Sequence, residues 1–207
     1  MTELQTKSFL TAERLLAAGC IVLFLFSFFS CRTVNVEQVP VEHISRYITG
    51  PGIKSVPQLV AFFMDTNPAA NKKDVENLAE LYIREAKTEG INSDIAFVQM
   101  CLETGFLRFG NLVTPAMHNY CGLGAIDAEH PGESFPSVQM GVRAHIQHLQ
   151  AYSTKDSVLS NPLVDKRYKW VKPRGKAETI FELAGTWASD RNYGTKLDNL
   201  LSRLEQY

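Results

Sequence analysis

The stretch "NSDIAFVQMCLETG", residues 92–105, constrains the fold more than any other part of the chain. Asn92 or Ser93 can cap a helix, and Gly105 can end it in a left-handed turn. Between them, Ile95 to Leu102 are apolar on almost every side, Gln99 excepted. A surface helix needs cover along one stripe, whereas a helix that is apolar all round must be enclosed. The rest of the chain therefore has to pack around this segment.

The flanking sequence offers that cover. "NKKDVENLAELYIREAKTEG" predicts a helix capped by Asn71 and stopped by Gly90, with Val75, Leu78, Ala79, Tyr82 and Ala86 along one side. "SVPQLVAFFMDTNP" predicts a shorter helix that ends at Asn67-Pro68, because the residue before proline avoids the helical region. "SVQMGVRAHIQHLQAYS" predicts another, capped by Ser137, with Val142, His145, Ile146 and Leu149 on its inner side. Two last helices are expected in "AETIFELAGTWA" and "YGTKLDNLLSRLEQY". From Gly105 to Ser137 the period disappears while glycine and proline accumulate, which reads as a loop or small β-lobe. The fold class is mainly α, a helical domain split by an irregular lobe.

The amino terminus has a different character. Lys7 and Arg14 precede an uncharged apolar run from Leu15 to Cys31, the composition of an export signal. "SFFSC" resembles a bacterial lipobox, with Ser30 before a Cys31 that would carry the lipid, although Phe28 and Phe29 are bulkier than the usual residues. An uncleaved membrane helix is the alternative. Both readings put the remainder outside the cytoplasm at a membrane surface. Residues 1–31 are thus expected to be the signal segment, 32–47 a tether and 48–207 the domain. With Lys+Arg 21 against Asp+Glu 22, the net charge of -1 offers no basic field for a phosphate backbone, so nucleic acid is not an expected partner. Cys101 and Cys121 remain in the domain, either as a disulfide or as two buried free thiols.

Glu103 stands in the last turn of the enclosed helix, beside Met100, Leu102, Phe106 and Leu107. The carboxyl end of a helix is the negative end of its dipole, and apolar neighbours remove solvation. Both effects oppose ionisation, and a raised pKa is what a general acid working near neutral pH requires. The alternative is an ordinary solvated residue at a helix end.

A resemblance separates these readings. "EGINSDIAFVQMCLETGFLRFGN", then "NYCGLGA", "FPSVQMGVRAHIQHLQAY", "NPLVDKRYKWVK" and "AGTWASDRNYGTKLDNLL" resemble, in order and over about residues 48–207, the bacterial glucosaminidase family of peptidoglycan hydrolases, glycoside hydrolase family 73. The resemblance implies a lysozyme-like α+β fold, with a groove between helical lobe and β-lobe that takes glycan strands. Glu103 falls on the family's catalytic glutamate, and Tyr193 on an active-site tyrosine opposite it. Asn119-Tyr120-Cys121-Gly122 falls on a groove motif, with Cys121 where the family has an aromatic residue. The implied activity is that of an endo-β-N-acetylglucosaminidase cleaving the β-1,4 bond after N-acetylglucosamine. The rivals are a lytic transglycosylase or muramidase on the same fold, and a non-catalytic glycan-binding lipoprotein.

A second catalytic group is expected either from Asp127, Glu129 or Glu133 in the lobe or from the substrate's own acetamido oxygen. Among Phe109, Tyr120, Phe135, Trp170, Trp187 and Tyr193, the better candidates for stacking on sugar rings are Tyr120, Phe135 and Trp187, which adjoin the motifs. His145 and His148 lack the spacing and acidic support of a zinc site, and His145 is expected to face the core with a hydrogen-bond partner. No metal or organic cofactor is expected, and the chain is expected to act as a monomer.

Overall fold

The computed structural model describes residues 43–156 and 158–207. The enclosed helix, α3, spans Ser93–Thr104, and every residue from Ser93 to Cys101 is buried. Asn92 caps it by accepting from Asp94 N at 3.0 Å, and Gly105 stops it at a φ of 58°. Four other helices occur among the described residues: α1 at Val56–Thr66, α2 at Lys72–Glu89, α4 at Val138–Ser153 and α5 at Tyr193–Leu204. All four pack on α3. The core includes Phe62 and Phe63 of α1, Tyr82 of α2, Phe97 of α3, Ile146 of α4 and Leu197 of α5, each fully enclosed. Burial of such a side chain stabilises by roughly 1.5–3 kcal/mol before conformational entropy is counted.

The expected caps form. Asn71 accepts from Lys73 N at 3.0 Å, Gly90 turns left-handed at a φ of 70°, and Ser137 accepts from Met140 N at 3.3 Å. The stretch "AETIFELAGTWA" departs from expectation. It contains only a 3-10 turn, Ile180–Leu183: Glu182 caps its front by accepting from Glu178 N and Thr179 N, so that nothing helical begins at Ala177, and Gly185 takes a φ of 78° just after it. The turn sets up the next helix. At Gly194 a Cβ would stand 2.6 Å from Phe181 Cα, so only glycine lets α5 begin directly on it.

The expected tether also gives way to packed structure at its end. From His43 onward the backbone is tied down: Ile44 N donates to Glu205 at 2.9 Å, Ile48 N to Glu178 O at 2.9 Å, and Arg46 pairs with Asp198 at 2.7 Å. Ile44 and Ile48 enter the core. Isoleucines at a spacing of four, too few to show a period, carry this docking. The apolar run through Cys31 lies outside the described residues. Among the described residues no helix is long and apolar enough to cross a membrane.

The lobe between α3 and α4 has no β-ladder among the described residues. It holds a 3-10 turn at Pro115–Met117 and a single antiparallel bridge, Ala125 with Pro131. It is fixed to the helices at Gly141 of α4, where a Cβ would stand 1.8 Å from His118 O. The lobe has its own small apolar cluster of Cys121, Leu123 and Phe135 against Ala144.

Candidate active site

Glu103, half-buried in the last turn of α3, opens onto a cavity of about 290 Å³ between the helices and the lobe. Its carboxyl oxygen Oε1 accepts two hydrogen bonds, from Trp187 Nε1 at 3.0 Å and from the Tyr193 hydroxyl. Oε2 lies toward Gly122, 3.9 Å from the point where a Cβ would stand. Burial raises the Glu103 pKa above the ordinary glutamate value, and the Tyr193 and Trp187 hydrogen bonds, which favour the carboxylate, offset only part of that rise.

Each donor is held by its own element. Tyr193 is the first residue of α5 and is buried, its phenol pushed well above its ordinary pKa by burial and then by the Glu103 charge. Trp187 follows the 3-10 turn. Its ring packs against His148 and Tyr152 of α4, each with centroids 5.1 Å away, and against His145 at 5.9 Å. The Tyr152 hydroxyl donates to Thr186 O at 3.0 Å and fixes the backbone next to the indole.

Behind Tyr193 a buried polar chain continues into the core. Gln99 Nε2 donates to the Tyr193 hydroxyl oxygen at 2.9 Å, Gln99 Oε1 is 3.1 Å from His145 Nε2, and His145 Nδ1 is 2.9 Å from the Tyr82 hydroxyl. Burial, and then the neighbouring His148, lowers the His145 pKa to about 3, so the ring is neutral. The core-facing histidine with a partner is as expected. Its linkage to Glu103 through Gln99 and Tyr193 arises only from the packing of the helices.

The cavity is lined by Glu103, Phe109, residues 111–113, Asn119, Gly122 and Trp187. Asn119 serves the wall as a brace. Its amide donates to Leu123 O at 2.9 Å and Glu133 O at 3.0 Å, and its carbonyl accepts from Leu123 N at 2.9 Å. Gly122 takes a φ of 64° and leaves open the space before Glu103. Tyr120 and Phe135, expected as sugar-stacking faces, are instead packed. Tyr120 is buried and lines a neighbouring cavity with Asn71 and Asp74, its phenol pushed up to about 12 by burial and then by Asp74. Phe135 belongs to the lobe's apolar cluster. Phe109 lines the cavity beside Glu103 and takes a left-handed φ of 54°. Trp170 is 68% exposed beneath Arg167, whose guanidinium carbon is 4.6 Å from its ring.

None of the three lobe acids lines this cavity. Asp127 is engaged in its own turn, accepting from Glu129 N at 3.0 Å, His130 N at 2.9 Å and the His130 ring at 2.9 Å. Glu129 is exposed, and Glu133 pairs with Lys166 at 2.8 Å. His148 is paired with Asp165 at 2.8 Å. Among the described residues no group of three or more His, Cys, Asp or Glu could hold a metal ion. Cys101 and Cys121 are buried free thiols, both pushed to higher pKa by burial.

The family model described as Glucosaminidase, mannosyl-glycoprotein endo-beta-N-acetylglucosaminidase, matches residues 79–206, a range that contains Gln99, Glu103, Trp187 and Tyr193. A Borreliella burgdorferi protein described as uncharacterized is 41% identical over 161 residues, 78% of this chain and 78% of that protein. The crystal structure of the catalytic domain of the autolysin Auto from Listeria monocytogenes aligns with a TM-score of 0.43 and 17% identity, over 75% of this chain and 90% of that one.

Proposed function

The chain belongs to the glucosaminidase family, and from that premise we propose that it is a peptidoglycan hydrolase, an endo-β-N-acetylglucosaminidase that cleaves the β-1,4 bond after N-acetylglucosamine with Glu103 as general acid. The observation that carries the reading is the Glu103 carboxyl at the cavity, raised in pKa and held through Oε1 by Trp187 and Tyr193. A carboxylic acid whose pKa is raised keeps its proton to higher pH and can give it to a glycosidic oxygen as the bond breaks, and the two donors stabilise the carboxylate that results.

The second group comes from the substrate in this proposal. Asp127, Glu129 and Glu133 stand away from the cavity lining, whereas the 2-acetamido oxygen of N-acetylglucosamine can attack its own anomeric carbon. Glu103 protonates the leaving oxygen, the sugar closes to an oxazolinium ion, and water then opens it while the Glu103 carboxylate takes the water's proton. Trp187 supplies an aromatic edge at the cavity and Phe109 a second apolar wall. The amino-terminal signal with Cys31 supports export and attachment to the bacterial envelope by lipid, with peptidoglycan as the partner and the protein acting as a monomer.

The test is digestion of purified peptidoglycan by wild type and Glu103→Gln, with mass analysis of the fragment ends. Reducing N-acetylglucosamine ends from wild type alone are expected. Anhydro-muramyl ends would make the protein a lytic transglycosylase, reducing N-acetylmuramic acid ends a muramidase, and binding without fragment release a non-catalytic lipoprotein.

A further inference from the structure

The buried chain that runs from Tyr82 to Glu103 has a direction, set by the orientation of the Gln99 amide together with a neutral, fully buried His145 ring. Gln99 turns its amide nitrogen to Tyr193 and its amide oxygen to His145. An amide oxygen only accepts, so His145 Nε2 carries the ring's hydrogen. The ring is neutral, so His145 Nδ1 holds a lone pair and the Tyr82 hydroxyl donates to it. At the other end, the Tyr193 oxygen receives the Gln99 hydrogen and spends its own on Glu103 Oε1. Every link then points the same way, from Tyr82 on α2 through His145 on α4 and Gln99 on α3 to Tyr193 on α5.

We propose that Tyr82, His145 and Gln99 are positioning residues that hold Tyr193 as a donor to Glu103 Oε1, so that Oε2 is the oxygen that carries the acid proton into the cavity. The proposal rests on the reading of Glu103 as the general acid. Reversing the chain would require the Gln99 amide to flip, His145 to change tautomer and the fully buried Tyr82 hydroxyl to give up its acceptor. Aligned bonds in a low-dielectric interior polarise one another, so the Tyr193 hydroxyl donates more strongly than an isolated phenol. Trp187 Nε1 also converges on Oε1, while Oε2 faces the side of Gly122, where the lobe leaves room. As Glu103 loses its proton to the substrate, charge grows on a carboxylate already aligned with two donors. The aligned chain thus acts on the step that forms this charge and leaves glycan binding untouched.

Two variants and one spectroscopic measurement on the full chain test this. In wild type, the nitrogen shifts of the His145 ring are expected to report the Nε2–H tautomer, and the Nδ1–H tautomer would overturn the proposal. Tyr82→Phe removes one hydroxyl and leaves the ring in place. It leaves the other titratable groups around Glu103 intact: Tyr193 on α5, Cys121 in the lobe, and His145 and His148 with Asp165 behind Trp187. Its kcat is expected to fall about 5-fold with KM unchanged, the size of one neutral hydrogen bond. The alkaline limb of its kcat profile is expected to move up by about half a pH unit, because a weaker donor to the carboxylate raises the Glu103 pKa. Gln99→Met breaks the chain at its centre and is expected to act in the same direction by about 10-fold. If that variant does not fold, Tyr82→Phe decides. An unchanged kcat and alkaline limb in Tyr82→Phe, with wild type active and Glu103→Gln inactive, overturns the positioning role alone. A wild type that releases no fragments overturns the hydrolase reading and this inference together.

Discussion

The two sides of the cavity are built differently. On the helical side, Glu103 is reached by donors from two separate segments, and its partner Tyr193 is backed by a buried polar chain of three further residues. On the lobe side, the wall is backbone braced by Asn119, and the acids Asp127 and Glu133 are committed to His130 and Lys166. Fixing a polar group inside a core costs desolvation and is sustained where each partner is satisfied. That investment is present around one carboxyl and missing around the lobe acids. The asymmetry fits a reaction in which the protein supplies one acid and the substrate supplies the second group.

The largest effect that can test this comparison is the removal of the acid. Glu103→Gln is expected to reduce kcat on peptidoglycan by at least about 100-fold, measured as fragment release. Next come its two donors. Tyr193→Phe and Trp187→Phe each keep a ring but lose a hydrogen bond to a charged oxygen, and each is expected to lower kcat by about 10-fold or more. The sign of the accompanying pH change is defined. In the proposed mechanism protonated Glu103 is the active form, so activity is expected below its raised pKa and is expected to be lost as pH rises through it. Loss of a donor that favours the carboxylate raises this pKa further, so the alkaline limb in both variants should move to higher pH. A downward shift would contradict the assigned hydrogen bonds.

The joint between the two sides is open to a stability measurement. Gly141→Ala places a Cβ 1.8 Å from His118 O, and is expected to destabilise by about 2 kcal/mol or more in denaturant unfolding. An unchanged midpoint would show that the lobe can move away from α4 at little cost. The smallest effects are expected in the lobe. Asp127→Asn, Glu129→Gln and Glu133→Gln should each keep kcat within about 2-fold of wild type, the range of surface changes away from the chemistry. A loss of about 100-fold at any one of them would give the lobe a catalytic carboxylate and remove the asymmetry.

The helices that enclose α3 were legible in the sequence because capping residues and apolar spacing agree. Asn71, Ser137 and Gly90 act where the pattern puts them. The segment 177–188 reads as a longer helix because its apolar residues have helical spacing, while the Glu182 cap starts the helical part only after Thr179 and Gly185 turns left-handed just past it. At the site, the helix end and its apolar neighbours make Glu103 a candidate acid, and only the family resemblance separates that reading from an ordinary solvated residue. Tyr193, Trp187, Asn119 and Gly122 came from the family resemblance alone. Tyr120 and Phe135 could not be distinguished from groove residues in the sequence, since an aromatic ring serves core and groove equally well. The polar chain left one visible sign, Gln99, the exception in an otherwise apolar helix. Its partners His145 and Tyr82 lie 46 residues after and 17 before it in the sequence, and only packing brings them together.

The account depends most directly on the protonation of one carboxyl group. Titration of the Glu103 side chain by carbon NMR, identified by its absence in Glu103→Gln, is predicted to show a midpoint above the ordinary glutamate range, with a further rise in Trp187→Phe. A midpoint at or below that range in the wild-type protein would contradict the assignment of Glu103 as the general acid.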